Sequence, residues 1–561
     1  MADVVVYRKR RGVELFMLVL ALAIALGGYF LIHLNTAGSL PEEWPWAVAI
    51  AVVLTGLAHG IVRWRLPYAD PLILPMVVLL NGLGLAMIHR LDLGTDPRMH
   101  SAELQLTWTA VAIVAFCAVV IWLRDYRVLN AYPYLLFLVG LILLLLPMVP
   151  GLGKENHGAR IWIQIGSYSF QPAEVAKIVL SIAFAAYLVE KKDVLALAGG
   201  KLGRIVLPRP RDLGPILVMW LASMAVLVFQ KDLGTSLLFF GLFVTMLYIA
   251  TERSGWPIIG LTLFGAGAYA AFLTFRHVQT RVTAWLDPFS DPANNYQIIQ
   301  AQFGFAWGGP FGTGWGLGRP NITPLAKSDF ISAAVGEELG VAGLTAMVLI
   351  YGLIVARGMR AALGARDPFG KLLAAGVSFV FAIQVFTIIG GVTRLLPLTG
   401  LTTPFMSQGG SSLVANWMLF GLLMTITHQV RRPALEPVGT NPVASLADEP
   451  TMMVKAAAPR PEPPASLGQS AELEQPESSQ WVKDVWSGDE ATVVTTSPPD
   501  EAHTVTTPAL DEATVLTTPT QDDATVVTTP AQEDPDTVTD LPPVPAAPEI
   551  PDSIFRPGGG A

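Results

Sequence analysis

Apolar runs of about twenty residues recur along the first 432 positions, each long enough to cross a hydrocarbon layer about 30 Å thick. Lipid offers no partner for backbone N–H and C=O groups, so such runs must close their own hydrogen bonds as helices. About twelve of them begin, near Val13, Pro45, Asp70, Gln105, Ala131, Gln171, Leu213, Leu233, Pro257, Val335, Phe369 and Ser411. Composition agrees: 52% of the chain is hydrophobic and 14% charged, too little polar surface to cover a soluble core. The expected fold is an all-α polytopic membrane protein. No small-residue cleavage site follows the first run, which reads as a retained span and not as a signal peptide. The single cysteine, Cys117, falls inside a run, which excludes an internal disulfide and CxxC metal or redox chemistry.

Charge divides the chain in two. Residues 433–561 hold 22 acidic and 4 basic residues, a net −18, whereas residues 1–432 carry +10. The acidic segment is poor in aromatics and rich in Pro and Thr, so it cannot bury enough apolar area to offset its ordering entropy; disorder is expected. It contains an irregular repeat (DEATVVTTSP, DEAHTVTTPA, DEATVLTTPT, DDATVVTTPA), too short for a folded solenoid unit. No nucleic-acid partner is implied. Arg8, Lys9, Arg10 and Arg11 precede the first run, which places the N-terminus in the cytoplasm, and an even span count puts the C-terminus there too. In that orientation Lys and Arg favour the inner loops about two to one. The large Arg281–Gly318 loop then faces outward, with KENHGARIWIQIGSYSFQP, QKDLG and GGVTRLLPLTGLTTPFMSQGGSS. Four polar, Gly-rich stretches on one face suggest an outward cavity, because irregular backbone at membrane depth needs protein or water around it.

Ionisable residues in or beside spans are costly and therefore candidates. Glu174 and Lys177 share a helical face at i and i+3, either as a local ion pair or as a patch for an anionic head group. Asp232 reads as a helix N-cap or a site residue. Glu337 and Glu338 at a helix start favour the structural reading. Arg394 lies on the outer side, suited to a pyrophosphate or to the membrane surface. Asp287 and Asp291 each precede proline, a pattern that ordinarily starts a turn, but their loop also holds Tyr296, Gln297 and Gln300. The glycines from Gly308 to Gly318 would let backbone approach a ligand closely. Their GxGxG spacing lacks the strand–turn–helix context of a nucleotide site.

The ordered set NHGARIWIQIGSYSFQPAEVAK, QKDLGTS, DPFSDPANNYQIIQ, SDFISAAVGEELG and LPLTGLTTPFMSQGGSS, over about residues 156–416, resembles the SEDS family of RodA, FtsW and SpoVE. GGVTRLLPLTGLTTP, PRPRDLGP and two N-terminal spans beyond the family's usual ten resemble its actinobacterial RodA branch. The resemblance divides the chain into residues 1–100 with the extra spans, a core at 101–432, and the tail at 433–561. It implies an inverting glycosyltransferase that polymerises lipid II into β-1,4 glycan outside the membrane and releases undecaprenyl pyrophosphate. A class B penicillin-binding protein would be its partner, and a divalent cation, Mg2+ or Mn2+, its cofactor. The family's essential aspartate falls on Asp291, its Glu/Lys pair on Glu174 and Lys177, and its DLG aspartate on Asp232. The expected substrate-binding set adds Arg160, Arg281, Tyr296, Gln297 and Gln300, together with Arg394, Ser407, Ser411 and Ser412. A pyrophosphate departs readily, so a second carboxylic acid is less necessary than in glycosidases. Two departures stand out: Ala293-Asn294-Asn295 where the family often has glycines, and Gln408 where it usually has tyrosine. A lipid II flippase, an FtsW-like division enzyme and a scaffold for wall enzymes are the alternatives.

In the tail, Thr492, Thr504, Thr514, Thr525 and Thr537 each follow acids and precede Val, which resembles sites of actinobacterial Ser/Thr protein kinases read by FHA-type domains. Phosphoproteomics of growing cells should find phosphothreonine at these positions. A fully covered but unmodified tail would reduce the repeat to a spacer.

Overall fold

The computed structural model of the protein describes residues 9–94, 100–156, 159–166, 168–196, 201–202, 205–206, 210–230, 232–253 and 255–433. The acidic tail and its threonine repeat, read from sequence as disordered, lie outside the described residues. Each of the twelve apolar runs is a helix. They are α1 Arg11–Ala37, α2 Trp44–Arg65, α3 Ile73–Leu93, α4 Ser101–Trp122, α5 Pro133–Leu145, α6 Pro172–Ala196, α7 Pro210–Phe229, α8 Leu233–Thr251 and α9 Gly255–Thr274. After the large loop come α12 Ile331–Gly364, α13 Pro368–Val392 and α14 Gly410–Arg431. Among the described residues ten of these are long and apolar enough to cross a membrane, and the apolar Pro133–Met148 segment is shorter. The loop itself carries two short helices, α10 Arg276–Leu286 and α11 Tyr296–Gly308.

Between α5 and α6 the chain forms an antiparallel meander of β1 Gly153–Asn156, β2 Ala159–Ile165 and β3 Tyr168–Phe170, with Gly153 opposite Ile163 and Ile163 opposite Phe170. The all-helical reading omitted it, although the ARIWIQI alternation carries the two-residue period of a strand. A second hairpin pairs β4 Lys201–Leu202 with β5 Ile205–Val206.

The most enclosed helices are α6 and α14, and the least enclosed is α9. Trp417 of α14 sits edge-on to Phe116 and Phe405 and donates its indole N–H to Asn81 Oδ1 at 3.1 Å. Asn81 in turn donates to Thr109 Oγ1 at 3.3 Å, so a buried polar chain ties α3, α4 and α14 together. At the opposite end of α1, Arg11 bonds Glu14 and the carbonyls of Pro67 and Ala69, and Glu14 accepts from His59 of α2. These buried charges are compensated at once by one another, which holds the first two helices against the α2–α3 link.

One helix is broken. At Gly340 the φ of +69° and ψ of −170° interrupt α12, which would leave backbone groups unpaired on both sides of the kink. The Gly-rich stretch 308–318 supplies the missing partners. Val341 N donates to Gly309 O at 2.9 Å and Ala342 N to Pro310 O at 3.0 Å. In return Thr313 N reaches Glu337 O at 3.0 Å and Gly314 N reaches Glu338 O at 2.9 Å. A Cβ at Gly308 would stand 2.1 Å from Gly336 O, and one at Gly312 would stand 2.2 Å from Glu338 O. The glycines do permit close backbone approach, and the surface that Gly308 and Gly312 approach is α12. Glu337 and Glu338 are structural for a reason other than the helix dipole. Glu337 Oε1 accepts from Arg319 N at 2.5 Å, and Glu338 accepts from Gly316 N at 3.0 Å and Arg90 Nε at 2.8 Å.

This geometry predicts that Gly312→Ala, at φ +84°, combines left-handed strain with a backbone clash and costs roughly 2–5 kcal/mol. Gly38→Ala, at φ +71° with nothing within 4 Å, should cost only about 1–2 kcal/mol. Thermal unfolding of the two purified variants in detergent separates the contributions.

Candidate active site

The two Asp-Pro pairs do different work. Asp287 follows α10 and accepts from Phe289 N at 3.1 Å, while its carbonyl accepts from Ser290 Oγ at 2.7 Å. It caps the turn at Pro288–Ser290, as its sequence context predicts. Asp291 ends that turn with an exposed carboxylate, which accepts from Asn294 Nδ2 at 2.6 Å and from Asn294 N at 3.3 Å. Those bonds hold the Asp291 carboxyl below its ordinary range, so it is ionised at neutral pH. Asn295, buried, bonds Pro288 O through Nδ2 at 3.0 Å. Asn295 therefore braces the turn, and Asn294 lowers the Asp291 carboxyl further within the ionised range.

Beside this turn lies a cavity of about 410 Å³, lined by Arg281, Trp285, Asn294, Gln297, Asp329 and Gly400 among others. Arg281 of α10 directs Nη1 to the carbonyls of Leu398 and Thr399, both at 3.1 Å. A Cβ at Gly400 would stand 3.7 Å from Arg281 Nη2 and 3.9 Å from Asp329 Oδ2, so the two charged groups face one another across that glycine. Its φ of +75° also favours glycine. Asp329 immediately precedes the start of α12, where Phe330 occupies the N-cap position without a side-chain cap bond. Burial raises its carboxyl to about 6, against the opposing pull of Arg281. Asp232 caps α8, accepting from Thr235 N at 2.9 Å and Thr235 Oγ1 at 2.7 Å. Burial pushes it upward, Thr235 and Arg281 pull it down, and Glu174 raises it again.

Glu174 and Lys177 form a buried pair at 2.9 Å. Lys177 Nζ also donates to Gln384 Oε1 at 2.9 Å, and Gln384 Nε2 to Thr402 O at 3.1 Å. Thr402 Oγ1 continues to Ser412 Oγ at 2.9 Å. Ser411 accepts from Gln171 N at 2.9 Å, which joins the start of α14 to the start of α6. Ser407 accepts from Thr403 N at 2.9 Å and donates to Ser328 O at 2.5 Å. The three serines thus fix the 398–412 segment that forms one cavity wall.

The four polar stretches expected on one face do meet. Arg394, at φ +62°, donates to Trp285 O at 3.0 Å and Leu286 O at 3.2 Å, and Trp285 Nε1 answers to Arg394 O at 3.0 Å. Its guanidinium docks the end of α10 onto the α13–α14 segment. Gln297 and Arg281 line the cavity; Asp291 sits at its edge through Asn294. Exposed Tyr296, half-buried Gln300 and exposed Arg160 on β2 lie outside that lining. Asp329 and Gln384 were not singled out from sequence. Asp329 stands in the SDFISAAVGEELG block, but an aspartate before a helix reads as a cap; Gln384 is one polar residue in an apolar span. Among the described residues no three His, Cys, Asp or Glu side chains gather in a group that could hold a metal ion.

Residues 71–432 match the model of the FtsW, RodA and SpoVE cell cycle proteins. The chain belongs to this family. Peptidoglycan glycosyltransferase RodA of Mycobacterium tuberculosis is 48% identical over 447 residues, covering 78% of this chain and 95% of that protein. The RodA of Mycobacterium leprae is 47% identical over 450 residues, with the same 78% and 95% coverage. A solved structure described as "Structural coordination of polymerization and crosslinking by a peptidoglycan synthase complex" matches with a TM-score of 0.52 and 24% identity, covering 65% of this chain and 99% of its own. The family match begins after α2, so α1 and α2 lie outside it.

Neutralising one partner of the buried Glu174–Lys177 pair leaves the other uncompensated. Glu174→Gln or Lys177→Met alone should cost about 3–5 kcal/mol, and the double variant less than the worse single. Thermal unfolding of the three variants checks the order.

Proposed function

We propose that this chain polymerises lipid II on the outer face of the membrane, with Asp291 as the base that takes the proton from the acceptor sugar hydroxyl. The observation that carries the reading is the exposed Asp291 carboxylate, held by Asn294 at the edge of a cavity that contains Arg281. The acceptor oxygen attacks the donor C1, the C1–O bond to the diphosphate breaks, and an α-linked donor yields a β-linked product by inversion. Arg281 lies where it can meet the departing diphosphate. The outward position of the loop is supported by the basic residues before α1 and the bias of the inner loops. Glycan elongation in the mycobacterial relatives' manner is supported by their names and by their identity to this chain. A divalent cation would enter with the substrate diphosphate. A class B penicillin-binding protein would supply crosslinking, a pairing supported by the matched synthase complex. Phosphorylation of the tail threonines belongs to the same proposal and rests on sequence.

Asp291→Asn keeps shape and hydrogen bonding but removes basicity, so polymerisation by the purified protein with its penicillin-binding partner should fall about 10²–10⁴-fold. Asp287→Asn should be much milder, since its role is the turn. The base must be ionised to act, so wild-type activity should fall with acidity only below the ordinary Asp range of about 4. Equal lipid II polymerisation by the two variants would remove Asp291 from the chemistry, whereas no polymerisation by the wild type with its partner would favour a transporter.

A further inference from the structure

The cavity lining holds one cation and one acid, Arg281 and Asp329. Arg281 of α10 is its cation, and two of its donor contacts already serve the Leu398 and Thr399 carbonyls. Asp329, before α12, faces it across Gly400, and Asp232, before α8, is near enough to both Arg281 and Glu174 to feel their charge. Lys177 is committed to Glu174 and Gln384. The facing residues of α11 and its approach, Asn294, Asn295 and Gln297, are neutral. A diphosphate entering this space would meet one guanidinium and the Asp329 carboxyl, with Asp232 in electrostatic range of the same guanidinium. Negative charge brought beside these carboxyls raises their affinity for a proton, so binding of the anion favours protonation of one of them.

The structure distinguishes which one. Asp232 accepts two hydrogen bonds from Thr235, which favour its ionised form. The Asp329 carboxylate accepts none among the described residues, and it lines the cavity directly. We propose that Asp329 is a second catalytic residue, a carboxylic acid that donates its proton to the diphosphate oxygen as the bond to the sugar breaks. This rests on the transferase reading above and completes its proton balance. The acceptor hydroxyl gives its proton to Asp291, the new C1–O bond forms, the C1–O(phosphate) bond breaks, and the leaving oxygen receives the Asp329 proton. Exchange with water then returns Asp291 to carboxylate and Asp329 to acid. The two carboxyls are driven in opposite directions by their surroundings, Asp291 downward by Asn294 and Asp329 up to about 6 by burial. Such a split is how a pair of similar groups divides into base and acid. The charge of the bound diphosphate raises Asp329 further, so the acid is populated when it is needed.

The test is the pH dependence of lipid II polymerisation by the full-length protein with its partner, for wild type, Asp329→Asn and Asp291→Asn, with thermal unfolding recorded for each. An acid must be protonated to act, so wild-type kcat should decline at a pH at or above about 6. Asp329→Asn should lower kcat at least about tenfold with KM within a few-fold, and should lose that alkaline decline. An unchanged kcat, a loss confined to KM, or an alkaline decline that survives in Asp329→Asn overturns the proposal. If Asp329→Asn does not fold, the wild-type profile alone decides: a kcat that stays flat from about pH 6 to about 10 overturns it. Failure of the base reading looks different, since Asp291→Asn would then retain activity while the alkaline decline persisted.

Discussion

Everything on the cavity side of the bundle depends on how the break in α12 is closed. A helix interrupted inside a membrane protein exposes N–H and C=O groups that lipid cannot satisfy, and Gly309, Pro310, Thr313 and Gly314 satisfy them from outside the helix. Because the loop is bonded backbone to backbone, α11 and the start of α12 are held in one relation to each other. Gln297 reaches the cavity from the first, Asn294 from just before it, and Asp329 from beside the second. Arg90 of α3 secures the arrangement from a third direction, bonding Glu338 at 2.8 Å and Gly318 O at 2.7 Å.

The same economy governs the charged residues. Glu174, Lys177, Gln384, Thr402 and Ser412 form an unbroken series of hydrogen bonds from α6 through α13 to α14. Such a series keeps the 398–402 segment in place, and that segment offers Arg281 the carbonyls that aim its guanidinium. The pair in α6 can therefore influence the site without lining the cavity.

The helices were legible because lipid imposes a length and a composition on each one, and no competing interaction blurs the signal. Asp287 was legible for the converse reason: a turn needs only its immediate neighbours. The glycines at 308–318 were half legible. Their capacity for close approach follows from lacking a Cβ, but the surface approached is more than twenty residues distant in sequence for Gly312 and Glu338. From sequence Asn294 is only a departure from the family's glycines, whereas its side chain turns back three residues onto Asp291. Asp329 was obscured by its position before a helix, where local rules assign a cap. Only the fold shows that no cap bond is made and that Arg281 stands opposite.

The first helix bears on how this core came to be held together. Trp315, at the tip of the Gly-rich loop, lies 3.2 Å from where a Cβ on Gly28 would be, and its carbonyl accepts from Asn35 Nδ2 at 2.7 Å. Both partners belong to α1, which precedes the matched family region. The added helix is thus a brace for the loop that repairs α12, and not only an anchor. A chimera that grafted residues 71–432 alone onto another N-terminus would leave the Trp315 indole and carbonyl without their seat, so the unit that keeps this loop in place extends back to α1.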